Sequence, residues 1–263
     1  MQIASLIEFL DAAIYTKYVV GPYEERGGVM LVAYPGSFKT SIVNSSVQGH
    51  PDVMKTSDLN VQQWLKVKDD FITGRYTCLA FTDFEKIYQR HTSTAMHVEG
   101  IIKGLVAEGY GTGPSGDQRM PTILAYALVI GAMTNTCMES KYDDWQKSGF
   151  LRRFIWITYA VKNQNKIHEA IERWEKLDFG RFKDRPINSN IKAQETPPEL
   201  SSKLRHMMQE QPGLNGTGYV LLQKIVSVLL WKYGANGKGT KAVMEILNDV
   251  APSFSKDGGR ITL

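Results

Sequence analysis

Cysteine is nearly absent from these 263 residues: Cys78 and Cys137 are the only two. That is too few for a disulfide framework or a cysteine-rich metal cluster, and a reducing compartment is the natural expectation. The five histidines, His50, His91, His97, His168 and His206, show no HExxH or other paired-ligand spacing, so a metal site built by the protein alone is not expected. No serine stands in GxSxG, and the glycines of AEGYGTGPSGDQRMP form no GxGxxG after a strand; neither hydrolase chemistry of the nucleophilic kind nor a dinucleotide site has a signal. Long apolar runs are missing as well. TILAYALVIGAM is too short to cross a bilayer, and GYVLLQKIVSVLLWKY is interrupted by Lys224 and Lys232. The opening MQIASLIEFLDAAIYTKY carries acids inside its apolar pattern and no basic leader, unlike a signal peptide. A cytoplasmic chain without membrane contact is expected.

What is present describes a globular protein, 43% hydrophobic and 22% charged, with a formal charge of +4. The excess is unevenly placed. Residues 181–263 hold 12 Lys+Arg against 7 Asp+Glu, whereas residues 1–180 hold 19 against 20. A basic tail permits nucleic-acid contact without requiring it.

Ile3, Leu6, Ile7, Leu10 and Ile14 recur at helical spacing and predict a first helix over about residues 3–18. VMLVAY then reads as a buried strand, and PGSFKTSIVNSS as a turn opening into a helix. The alternation continues through a helix at VQQWLKVKDDFIT, a strand at YTCLAFT, and helices near FEKIYQRH and AMHVEGIIKGLVAEG. A strand at ILAYALVIGAM, a helix at MESKYDDWQKSG, a strand at FIWITYAV and a helix at QNKIHEAIERWEKL follow. Wholly apolar strands separated by helices predict a parallel sheet covered on both faces, an α/β domain over residues 1–180. Residues 181–198, polar and proline-bearing, read as a linker. Residues 199–263 offer three helices and a strand-like end, a small helical module that fits either a winged helix or a plain helical bundle.

The sharpest feature is VMLVAYPGSFKTSIV. A phosphate-binding loop needs a strand ending in a turn whose N–H groups converge on phosphate oxygens, a lysine reaching them, and a hydroxyl for Mg²⁺ at the helix start. Pro35, Gly36, Ser37, Lys39 and Thr40, followed by Ser41, meet that need in order. Ala33 and Phe38 replace the two glycines of GxxxxGK[ST], and a left-handed backbone at Phe38 would be costly. YTCLAFTDFEK is an apolar strand ending in acids. On an extended chain Asp83 and Glu85 project to the same side, suited to Mg²⁺ binding and water activation respectively.

Taken together, AYPGSFKT resembles the GPPGTGKT of the AAA+ branch of P-loop ATPases, and TCLAFTDFE resembles its acidic strand, which lies beside the phosphate loop. ALVIGAMTNT is similar to the family's sensor 1 segment, which implies Asn135 or Thr134 near the γ-phosphate. SGFLRRFIWITYA resembles the LLxRF segment, which implies an arginine finger at Arg152 or Arg153 acting on a neighbouring subunit. The likeness covers about residues 20–180 and extends to phage and plasmid replication ATPases.

It implies a P-loop fold of AAA+ or RecA-like type, binding of ATP and Mg²⁺ at residues 35–41, and a homo-oligomeric ring. It further implies work on single-stranded or forked DNA as a helicase, helicase loader or related replication motor, with a possible replication-protein partner. Lys103 and Arg119 would be phosphate contacts facing a pore. Lys238 and Lys241 of the expected recognition helix, and Lys256 and Arg260 of its wing, would contact DNA. Arg173 is the candidate for a second sensor arginine. Two other readings fit the same residues: a non-hydrolysing nucleotide- and DNA-binding scaffold, and a RecA-like recombination or DNA-packaging ATPase.

Overall fold

A computed structural model of the chain describes residues 3–20, 24–111, 124–159, 169, 171–172, 191–192, 196–210, 216–250, 255–257 and 260–262. The first half runs α1 (Ile3–Tyr15), β1 (Gly28–Val32), α2 (Lys39–Val47), β2 (Val53–Thr56), α3 (Val61–Ile72), β3 (Cys78–Phe81) and α4 (Thr92–Lys103). The second half runs β4 (Leu128–Met133), α5 (Asn135–Lys147), β5 (Phe154–Thr158), α6 (Pro198–Glu210), α7 (Thr217–Tyr233) and α8 (Gly237–Val250).

The five strands form one parallel sheet in the order β2-β3-β4-β1-β5. The α/β expectation is therefore met: a parallel sheet is flanked by helices. β1 and β4 are buried along their whole length, as a strand covered on both faces must be. Their side chains divide by parity. Val29, Leu31, Ile130 and Ala132 join α1, α2 and α6–α8 in one cluster; Met30, Val32, Val129 and Met133 join α3, α4 and α5 in the other.

Connections from β2 to β3 and β3 to β4 run one way across the sheet with their helices on the α5 face; the connection from β1 to β2 runs the other way with α2 opposite. That is the result of keeping every crossover right-handed. The chain consequently leaves β1 and its neighbour β4 in opposite directions. Such a reversal opens a crevice at the carboxyl edge of a parallel sheet, where ligands of open α/β folds bind.

Several sequence expectations change. β2, a short half-buried edge strand, lies in a stretch with too few apolar residues to signal a strand. FEKIYQRH forms a short 3₁₀ helix over Phe84–Gln89 rather than an α-helix. The first helix ends at Tyr15 and tightens to 3₁₀ over Thr16–Tyr18. ILAYALVIGAM divides: Leu124–Ala125 pairs antiparallel with Tyr110–Gly111, and only residues 128–133 enter the main sheet. Within the expected linker, Ile191–Lys192 pairs in parallel with Val19–Val20, and Ile191 is buried. The helix expected at residues 164–177, Arg173 included, lies almost wholly outside the described residues.

The largest change concerns residues 199–263. Read from the sequence as a small attached module, they supply α7, which packs on β5 and α1, and α8, which packs on α1 and α7. Leu221, Ile225, Leu229, Val243 and Leu247 share one cluster with the sheet. The terminal strands Ser255–Asp257 and Arg260–Thr262 do form an antiparallel hairpin, with Lys256 opposite Ile261 and Asp257 opposite Arg260. However, the second strand lies against α5, on the other face of the sheet from α6–α8.

Candidate functional site at the carboxyl edge of the sheet

β1 ends at Val32, and the chain turns through Ala33–Phe38 before α2 begins at Lys39. Tyr34, Pro35 and Gly36 are exposed, while Ser37 is buried. Gly36 has φ +76°, a conformation that glycine takes at no steric cost. Phe38 is the one non-glycine residue with positive φ among those described, at φ 58° and ψ 22°. The left-handed backbone that the sequence warned against is therefore adopted, at a cost of roughly 1–2 kcal/mol. Its ring is half-buried against the α1–α2 cluster, which offsets part of that cost.

Two contacts fix the loop. Ser37 N–H donates to the Tyr34 carbonyl at 3.3 Å, and the buried Tyr159 hydroxyl, just past β5, donates to the Ser37 carbonyl at 2.9 Å. Lys39 folds over the turn and donates to the carbonyls of Ala33 (3.0 Å) and Tyr34 (2.8 Å). Burial lowers its pKa below the usual lysine value, while Glu85 and Asp83 act in the other direction. Both acids are thus within electrostatic reach of the lysine. Phe38 provides no side-chain cap for α2, and no acid occupies the first turn; the positive end of that helix faces the loop.

The acidic strand arrives by a route that spacing did not show. β3 is not the neighbour of β1: β4 lies between them. The strand also stops at Phe81, so Asp83 and Glu85 do not alternate along an extended chain. Asp83 precedes the 3₁₀ helix, half-exposed, 3.6 Å from Lys86. Glu85 lies within it, and its carboxylate accepts from Thr134 N–H (2.7 Å) and the Thr134 hydroxyl (2.9 Å). The strand reaches the loop all the same, because the Thr40 hydroxyl donates to the Thr82 carbonyl at 3.1 Å.

Thr134 ends β4 and caps α5, its hydroxyl oxygen accepting from Cys137 N–H at 3.2 Å. Burial first, and Glu85 next, push the Cys137 thiol up to about 12, so it is an inert neighbour of the carboxylate. Asn135 follows, 8% exposed, and its Oδ1 is a buried acceptor without a hydrogen-bond partner. An orphan acceptor of this kind is uncommon and suits a donor such as a water. Of the two sensor candidates, Thr134 touches Glu85, while Asn135 presents the unused acceptor.

The remaining expected residues do not join this group. Arg152 and Arg153 form the turn before β5, and Phe154 pairs with Gly28 at the start of β1. They stand at the amino edge of the sheet, a strand length of about 13 Å or more from the loop at ~3.3 Å per residue. Either would serve a phosphate loop only across a subunit boundary. Arg152 is exposed; Arg153 is buried, donates to the Gly149 carbonyl (2.6 Å) and pairs with Glu108. Ser41 is half-buried in the first turn of α2. Lys103 ends α4 on one face of the sheet; Lys238 and Lys241 are exposed in the opening turns of α8 on the other, so they do not share one patch. Arg119 lies outside the described residues, as do the side chains of Lys256 and Arg260.

Sequence reasoning missed Tyr159 and Thr82, and ranked Thr134 second. Each acts through the polar end of a strand, and the only signal was a hydroxyl immediately after an apolar run. Among the described residues no group of three or more His, Cys, Asp or Glu could hold a metal ion, and no helix is long and apolar enough to cross a membrane. No protein-family model matches this chain, and no curated protein is significantly similar to it in sequence.

Proposed function

We propose that the chain is a P-loop ATPase of AAA+ type that assembles into a ring and acts on DNA, as a helicase, helicase loader or related replication motor. The observation that carries this reading is the meeting of five groups at one edge of the sheet: the Ala33–Lys39 turn, Thr40 tied to Thr82, Asp83, the Glu85–Thr134 pair and the unpaired Asn135 Oδ1. They come from β1, β3 and β4 at the point where the chain reverses direction. Dinucleotide sites use the same edge, but the loop here offers a lysine and a hydroxyl in place of GxGxxG.

In this reading Lys39 exchanges the Ala33 and Tyr34 carbonyls for β/γ-phosphate oxygens of ATP, and the amino end of α2 supplies backbone N–H groups to the same oxygens. The residues fit Mg²⁺ as it is held beside nucleotides, by one hydroxyl (Thr40) and one carboxylate (Asp83) with phosphate and water completing the shell. When bound, Mg²⁺ would neutralise charge on the phosphates. Glu85, released from Thr134, accepts a proton from the attacking water, and Asn135 Oδ1 orients that water. Arg152 or Arg153 reaches the phosphates of an adjacent subunit, Arg152 with the freer side chain.

The test is magnesium-dependent phosphate release with and without single-stranded DNA, together with sizing in the presence of ATP. No turnover and no nucleotide-induced thermal shift would sink the reading. A non-hydrolysing scaffold is favoured by one observation, the double hold of Thr134 on Glu85. It would show nucleotide binding that is unchanged by Glu85→Gln and no phosphate release.

A further inference from the structure

At the amino edge of the sheet, opposite the loop, a cavity of about 570 Å³ is bounded by Glu25, Glu108, Arg152, Arg153 and the Gly216–Thr217 start of α7. Its two arginines and two glutamates form one ion pair among the described residues, Arg153 with Glu108. Arg153 is 7% exposed, pairs with Glu108 through Nη2, and has an Nε without any hydrogen-bond partner. Arg152 makes no hydrogen bond or ion pair among the described residues. A Cβ on Gly149 would stand 3.1 Å from Arg153 Nη1 and 3.2 Å from Arg152 Nε, so the two guanidinium groups crowd one glycine. Like charges brought this close favour an anion between or beside them.

The backbone adds to this field. α7 has 17 residues, begins at Gly216 without a side-chain cap, and has no acid in its first turn; its positive end opens on the cavity. Lys224, two turns along α7, donates to the Glu25 carbonyl at 2.7 Å. Burial first, and Arg26 next, lower it to about 8. Arg26 and Lys224 thus add positive charge behind the Glu25 wall of the cavity, where Glu24 and Glu25 oppose them. Of the Arg153–Glu108 pair, the arginine side chain is 9% exposed and the glutamate 60%. The base is fixed and the acid lies at the rim, free to give way.

We infer that this cavity is a second anion site, which takes a phosphate-bearing group on Arg152, the amino end of α7 and, in exchange for Glu108, Arg153. Paired guanidinium groups with backbone N–H donors suit the several oxygens of a phosphate better than a single carboxylate. The volume admits a phosphorylated small molecule. The site does not depend on what the β1–α2 loop binds.

It is tested on full-length Lys39→Ala protein, in which the loop is disabled, by calorimetric titration with tripolyphosphate without magnesium. Saturable binding is expected, weakened about tenfold or more by Arg152→Ala, the loss of one charge-assisted contact, and strengthened several-fold by Glu108→Gln. Both variants alter exposed side chains, and their opposite signs separate a site from general damage. Absence of saturable binding, or binding indifferent to both substitutions, overturns the inference. Repeating the titration across protein dilution should leave the stoichiometry unchanged; binding restricted to assembled protein would overturn a site held within one chain.

Discussion

Two strand-to-helix junctions stand side by side at the carboxyl edge, and they are finished in opposite ways. At β4–α5, Thr134 takes extended backbone, caps the helix with its hydroxyl and donates its own N–H to Glu85. Among the buried side-chain polar atoms described at this junction, Asn135 Oδ1 alone lacks a partner. At β1–α2, Phe38 occupies the capping position in a left-handed conformation, supplies no side-chain cap to the helix, and follows a turn in which Tyr34, Pro35 and Gly36 are exposed. A junction selected for stability alone would resemble the first. The second carries strain and an open helix end, as binding loops do.

That contrast can be broken by mutation, most severely at the lysine. Lys39→Ala is expected to remove any nucleotide-induced thermal shift and all phosphate release, while leaving the unfolding midpoint in urea nearly unchanged, because the side chain bonds only to loop carbonyls. Glu85→Gln comes next. Turnover should fall by about 10²–10⁴-fold, the usual worth of a general base, with nucleotide affinity retained; a fall in affinity instead would make Glu85 a binding residue.

Thr134→Val tests the closed junction. It removes the cap and a donor to Glu85, so a loss of about 1–2 kcal/mol in urea unfolding is expected. Phe38 provides the matching test of the open one. Phe38→Ala and Phe38→Gly both delete the ring, but only glycine relieves the left-handed backbone, so the glycine variant should be the more stable by about 1 kcal/mol. Equal stabilities would mean that the turn relaxes around any residue.

The smallest effect is on pH. The folded chain gives up the Lys39 proton below the ordinary lysine value, so between the two pKa values the unfolded chain holds more protons. Stability then rises with pH in that alkaline window while phosphate affinity falls. Thermal melts and nucleotide titrations from neutral pH upward, compared with Lys39→Met, measure both slopes; the variant should show neither contribution.

Much of the loop was legible because its chemistry is local. A strand, a Pro-Gly turn, a lysine and a threonine follow one another within thirteen residues, and the penalty at Phe38 follows from its side chain alone. The partners were not legible. Glu85 meets Thr134 across 49 residues, and Tyr159 meets Ser37 across 122; no periodicity encodes which strand will lie beside which. The placing of β4 between β1 and β3 turns a segment read as a sensor into the direct neighbour of the acidic turn. What the C-terminal helices pack against was not legible for the same reason. An amphipathic helix announces that it will bury one face, and α7 and α8 do so, but the pattern is silent on whether that face meets another helix or the sheet.

By itself, then, the order of residues determined a parallel α/β sheet, a strand-turn-helix bearing Lys39 and Thr40, and two acids after a buried strand. These are consequences of side-chain period and backbone sterics that act over a few residues. Only the tertiary structure decided the strand order, the hold of Thr134 on Glu85, the union of the C-terminal helices with the core, and the gathering of Arg152 and Arg153 around a cavity at the far edge. Those depend on contacts between distant parts of the chain, chosen by which arrangement buries the most apolar surface while keeping each crossover right-handed.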